Sequence, residues 1–228
     1  MKRKPQLRSA EPNRLAILAL AAAITTTPGS GAIIDRIAVT VGNRAITSSD
    51  IEREIRVNAF LNGQPPDLSA AGKRVAAERM VEQKLVQREI ESSRYPAPQP
   101  AEIEPALAAF RKRFYPAEAE YRRALAQGGI SDRDVRDALL WQRTLLQFVD
   151  VRFRPAVRIS AEEIQQYFDT VLAPRLRAAE PGRTVSLDDY RDKIEDTLAG
   201  QREDREMDTW LREARRQTAI VYHDEAFQ

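Results

Sequence analysis

The only histidine in this chain of 228 residues is His223, and Asp224 beside it is the nearest acid that could form an acid–base pair. Neighbouring residues on a strand point to opposite faces, so this spacing does not favour a catalytic pair. The chain has no cysteine, which excludes thiol catalysis and disulfide bonds and leaves metal binding to carboxylates. We therefore expect no catalytic residue and no metal site.

The other polar motifs have structural explanations. Glu162-Glu163 and Asp188-Asp189 are typical of the first turn of a helix, where carboxylates interact with the positive end of the helix dipole. Gly42-Asn43 has the composition of a hairpin turn and not the spacing of a phosphate-binding loop. Basic runs such as 111–113 are interleaved with acids and indicate a solvated surface, with a protein or membrane-surface contact as the alternative. No cofactor is predicted.

Large aromatic side chains are the remaining candidates for a binding site. Six of them lie off or at the edge of the apolar stripe of their segment. They could fill gaps between helices, or they could line a groove for apolar segments of other proteins. Phe110 and Phe114 instead lie on a regular helical stripe and are predicted core residues. The six candidate binding residues are Phe60, Tyr95, Tyr115, Trp141, Phe148 and Trp210.

Residues 1–32 have the pattern of a secretory signal peptide. Five Lys or Arg side chains precede or border a ten-residue apolar run at 15–24. A membrane anchor is the alternative, but a spanning helix needs about 20 apolar residues. Small residues follow, and we expect cleavage after Ala32. The rest of the chain has 31 basic and 33 acidic side chains, so the positive field of a nucleic-acid-binding protein is not expected.

The following residues predict a mainly α-helical fold with a small antiparallel β-sheet. Residues 33–47 alternate in polarity around Gly42-Asn43, as in a β-hairpin, and 219–222 form a closing strand that we expect to pair with it. Residues 151–159 are predicted to be extended and 174–185 to be a loop. Caps and apolar repeats predict helices at 48–62, 69–92, 103–114, 131–149, 160–168 and 186–214, with a short helix through Tyr121 and Leu125.

The order of these segments resembles the SurA family of periplasmic chaperones. Residues 34–51 are similar to its opening hairpin and first helix, 78–90 to its second helix and 129–143 to its next long helix. Residues 157–168 are similar to the passage that leads, in the family, into a parvulin-type prolyl isomerase domain. Residues 186–227 are similar to the C-terminal helix and strand that return to the N-terminal module.

The family's isomerase domain has no counterpart here. Only 17 residues, 169–185, separate the segments that flank it, and its glycine-rich and histidine-bearing sequences do not occur in the chain. Isomerase activity is therefore not implied. The expected organisation is a signal peptide at 1–32, a chaperone domain at 33–168, a short linker at 169–185, and a helix and strand at 186–228 that pack back on the chaperone domain.

The resemblance implies a periplasmic chaperone that works without ATP and binds unfolded outer-membrane β-barrel proteins. Its partners would be unfolded or extended polypeptides and not nucleic acid, with no stable membrane insertion after signal removal. One alternative is a non-catalytic subunit for a single dedicated envelope partner. The other is a peptidyl-prolyl isomerase of unusual design.

Overall fold

The fold is mainly α-helical with one small antiparallel sheet, as the sequence predicts. A computed structural model describes residues 35–93, 95–180 and 185–228. The predicted signal peptide and its cleavage site lie outside these residues. Within the described ranges, none of the helices combines the length and the hydropathy that crossing a bilayer would require.

The sheet brings the two ends of the described chain together. β1 (Ile37–Val41) and β2 (Arg44–Thr47) form the predicted hairpin. β3 (Ile220–Tyr222) pairs with the other side of β1, with Thr40 opposite Val221, which confirms the closing strand. The strand order is therefore β2-β1-β3.

Two long helices follow the hairpin. α1 (Ser48–Asn62) begins at a capping box of Thr47 and Asp50, whereas Ser49 and Glu52 have the spacing of the box that the sequence favours. α2 (Ala70–Ser92) begins after Ser69, whose hydroxyl accepts a hydrogen bond from a backbone N–H of the first turn. Both ends of α2 agree with the prediction.

The middle of the chain forms three helices. They are α3 (Glu104–Phe114), α4 (Glu118–Gly128) and α5 (Asp132–Arg152), and a single turn (Pro100–Ile103) precedes α3. The prediction of extended structure is wrong for 151–156, because 151 and 152 belong to α5 and Arg154–Ala156 forms a single 3₁₀ turn. Pro155 restricts only the residue before it, so α5 continues to within three residues of the proline.

The C-terminal third is more helical than predicted. α6 (Ala161–Tyr167) is joined to α7 (Ala173–Ala179) by a π-helical turn. The loop prediction is wrong for 174–179, because Pro174 occupies the first turn of α7, where a missing N–H costs nothing. α8 (Arg191–Arg216) begins five residues later than predicted, and Asp188 lies ahead of it, paired with its first residue.

Among residues 35–93, 95–180 and 185–228, buried side chains form four clusters. The main cluster lies between the sheet, α1 and α2; the α3–α4 cluster also involves α1 and the start of α5. The α6–α7 cluster packs on the first half of α8. The Phe148 cluster joins α2 and α5 to the second half of α8. α8 runs through Gly200 without interruption and packs its two halves on different neighbours.

Phe114 departs from the sequence prediction. Its side chain is 48% exposed, so the expectation of a core residue is wrong. Phe114 is the last residue of α3, and its ring contacts Phe110 at a centroid distance of 5.2 Å. The apolar stripe of α3 is buried only in its first half, where Leu107 lies.

Candidate functional site

The acid–base candidates take part in local structural contacts. The carboxylate of Asp224 pairs with Arg74 at 2.9 Å, and the backbone N–H of His223 donates to the carbonyl of Ala38 at 2.9 Å. Glu163 completes the predicted capping box at the start of α6. In the part of the chain that the structure describes, no group of three or more His, Asp or Glu side chains could hold a metal ion.

Two of the six aromatic candidates lie in the α3–α4 cluster. The rings of Phe60 and Tyr115 stack with a centroid distance of 5.3 Å and an interplanar angle of 2°. Phe60 also contacts Phe110 and Tyr121, at 5.6 and 6.1 Å. Phe60 and Tyr115 are half-buried and fill the space between α1 and the α3–α4 pair, as the gap-filling alternative expects.

Three further candidates lie in the Phe148 cluster. The ring of Phe148 is 5.2 Å from that of Tyr95 and 5.3 Å from that of Trp210. Phe148 is only 1% exposed, whereas Tyr95 and Trp210 are half-buried. Phe148 is therefore a core residue and does not lie on a binding surface in this conformation.

The last candidate, Trp141, lines a cleft of about 380 Å³ between α1, α2 and α5. Its indole is half-buried at the edge of the Phe148 cluster. The apolar wall of the cleft continues with Val57 of α1, Met80 of α2 and Leu145 of α5. The six aromatic candidates therefore do not form one surface. Of the six, Trp141 lines this cleft.

Capping boxes position α1 and α5 at this cleft. Asp50 caps the start of α1 and Asp134 that of α5, and Arg53 lies 3.1 Å from Asp50 and 3.9 Å from Asp134. Burial acts to raise the pKa of Asp134, but hydrogen bonds from Ser131 and the charge of Arg53 keep that pKa below its ordinary value. The carboxylate of Asp134 is therefore ionised at neutral pH and already has Arg53 nearby.

Side-chain amides form much of the remaining lining. The Nδ2 of Asn58 donates to Oε1 of Glu54 at 2.7 Å, and the Nε2 of Gln83 donates to the same oxygen at 3.3 Å. Gln142 is exposed, and its side-chain amide makes no hydrogen bond to any residue that the structure describes. An amide offers both a donor and an acceptor, which are the groups that a peptide main chain requires. The lining amides are Asn58, Gln83, Gln87 and Gln142.

The cleft continues along the seam between α1 and α2 into a second depression of about 260 Å³. Asn58 and Arg79 line both, so the two are adjacent. The second depression also includes Pro65 of the connecting loop and Val75 of α2, which is 59% exposed. We name the whole feature the α1–α2 groove, with an α5 end at Trp141 and a loop end at Pro65.

Sequence reasoning missed most of this groove. The apolar stripe along α5 has the width of a core-facing stripe and includes Gln142 and Leu146, yet Gln142 is exposed and Leu146 is 61% exposed. Only the N-terminal part of that stripe, at Val135, is fully covered. Gln142 within this apolar stripe was the sequence signal that the stripe is not fully buried, because burying an amide without hydrogen-bond partners costs free energy.

The resemblance to the SurA family rests on the order of segments along the chain. No protein-family model matches this sequence, and no curated protein matches it.

Proposed function

We propose that this protein is an ATP-independent chaperone of the bacterial periplasm that holds unfolded polypeptides, its clients, in the α1–α2 groove. The observation that supports this proposal is the combination of an apolar wall, which includes Trp141, with a row of side-chain amides on an open surface. Apolar contact and amide hydrogen bonds make few demands on client sequence, so such a groove suits many segments.

The resemblance to the SurA family supports outer-membrane β-barrel precursors as clients, and the signal-like residues 1–32 support a periplasmic location. Barrel strands alternate apolar and polar residues, so their unfolded chains carry regularly spaced apolar groups. Ordering a flexible client opposes the contact energy, and binding should therefore be weak and reversible. We propose no catalytic step.

Leu145→Glu should abolish most of the suppression of client aggregation, because it places a charge on the apolar wall of the groove. The measurement is light scattering of two unrelated unfolded barrel proteins diluted into buffer with the protein lacking residues 1–32. Val151→Glu is the matched control: Val151 lies on the same helix, is 45% exposed and lines no part of the groove. It should suppress aggregation as well as the wild type.

A second variant shows whether Leu145→Glu acts through the groove or by unfolding the protein. Gln142 is exposed and lines the groove, so Gln142→Glu should reduce suppression with little change in the melting temperature. Equal activity of all three variants would contradict the proposal. Suppression for only one client would favour a dedicated binding subunit, and faster isomerisation of a proline peptide would favour an isomerase.

A further inference from the structure

We propose that the α1–α2 groove recognises the main chain of an extended client segment about six residues long. Two apolar side chains at the ends of the segment would anchor it, and the side chains between them would be free to vary. This inference rests on the proposed function and specifies which part of the client is bound.

The length follows from the helices that line the groove. On α1 the lining residues extend from Asp50 to Asn62, and on α2 from Gly72 to Gln87. At a rise of about 1.5 Å per residue, the lining part of α1 is about 18 Å long. An extended chain rises about 3.3 Å per residue, so about six residues cover this distance.

The middle of the groove provides hydrogen-bonding groups on both walls. The Nδ2 of Asn58 donates to the carbonyl and carboxylate of Glu54, at 2.9 and 2.7 Å, and this leaves Oδ1 as an acceptor. Across the seam, Arg79 is exposed, and its side chain has no hydrogen bond or ion pair among residues 35–93, 95–180 and 185–228. One wall thus offers an acceptor and the other a donor, which match the N–H and C=O of a peptide.

Three carboxylates that line the groove impose little further selection, because each already has an arginine nearby. Arg53 pairs with Asp50 and lies within 4 Å of Asp134, as described above. Asp137, at the rim, pairs with Arg133 at 3.6 Å. Because these carboxylates already have partners, none of the three requires a basic client side chain, and among the described lining residues the charge left without a partner is that of Arg79, the proposed donor to the client main chain.

The two ends supply the apolar anchors. At the α5 end, Met80, Trp141 and Leu145 surround a space suited to an aromatic or large aliphatic side chain. At the loop end, Pro65 and Val75 form a smaller apolar surface. An extended segment would therefore place a large apolar residue at one end and a smaller one at the other.

Peptide length provides the first test. The probes are peptides with Phe at one end, Val at the other and Ser or Thr between them, of three, six and nine residues. Binding is followed by the fluorescence of Trp141 in a Trp210→Phe background, where it is the only tryptophan. Affinity should rise at least tenfold from three to six residues and change less than about twofold from six to nine. Equal affinity for three and six residues would overturn the inference.

Main-chain methylation provides the second test. N-methylation of the central peptide bond should weaken the six-residue peptide about fivefold, because it removes one donor and leaves the side chains unchanged. In Asn58→Ala the penalty should fall below about twofold. Asn62→Ala is the matched control, since Asn62 lines only the loop end, and it should keep the full penalty. No penalty in the wild type would overturn main-chain recognition.

The two proposals can fail separately. If methylation has no effect while the wild type still suppresses aggregation, main-chain recognition is overturned and the chaperone function stands. If the peptides behave as expected and aggregation is not suppressed, groove recognition is supported and the chaperone function is overturned.

Discussion

Phe227→Ala should lower the free energy of unfolding by about 3 to 5 kcal/mol. The ring of Phe227 is 1% exposed and lies in the main cluster with side chains of β1, α1 and α2, although it is the penultimate residue of the chain. The guanidinium of Arg74 lies over this ring, 4.9 Å from its centroid. Removal of the ring would leave a cavity beside the sheet, where β1 and the C-terminal segment meet.

Val221→Ala is the control for this prediction. Val221 belongs to the same closing segment, but its side chain is 51% exposed, so the change in stability should stay below about 1 kcal/mol. Urea denaturation followed by circular dichroism measures both variants. A loss below about 1 kcal/mol for Phe227→Ala would mean that the C-terminal segment does not belong to the main core.

Phe148→Ala should also destabilise the protein by about 3 to 5 kcal/mol. Phe148 contacts the rings of Tyr95, Phe153 and Trp210, and its removal would open the junction of α2, α5 and α8. Client affinity should be unchanged at temperatures where the variant remains folded, because the side chain does not line the groove.

This prediction separates a core role for Phe148 from the client-binding role that the sequence suggests. The measurement pairs urea denaturation with titration of an unfolded barrel protein. Val151→Ala, on the exposed side of the same helix, should change neither quantity appreciably. A stable Phe148→Ala variant with weakened client binding would show that the cluster opens to receive clients.

Features set by local sequence were predictable. The hairpin follows from alternation around Gly42, and the start of α5 follows from Ser131 with Asp134 three residues later. The closing strand was also predictable, because residues 219–222 are a short apolar run and the hairpin at 33–47 is the β-structure with which it could pair. These patterns depend on backbone conformations and caps that a few adjacent residues determine.

The predictions failed where local signals were ambiguous. The sequence places Pro174 in a loop. Proline also favours the first turn of a helix, and Pro174 occupies the first turn of α7. Ser186 resembled a helix cap, yet its hydroxyl accepts only from the N–H of Asp188 in a turn before α8. Serine favours both caps and turns for the same reason, its local hydrogen bonding.

The candidate site depends on long-range packing and was predictable only in part. The sequence marks Trp141 as a candidate because it lies at the edge of its apolar stripe, and in the structure Trp141 lines the groove. The same criterion marks Phe148, yet Phe148 is buried. Side chains of α8, which is distant in sequence, cover it. Asn58 and Arg79 come from two helices that meet only in the folded chain, so no local pattern marks them.

Site-specific photo-cross-linking tests most directly whether clients bind in the α1–α2 groove. A photoreactive residue placed at Gln142, in the groove, should cross-link to an unfolded barrel protein, whereas the same residue at Val151, on another face of α5, should give little product. Equal labelling from both positions, or stronger labelling from Val151, would contradict the assignment of the client site.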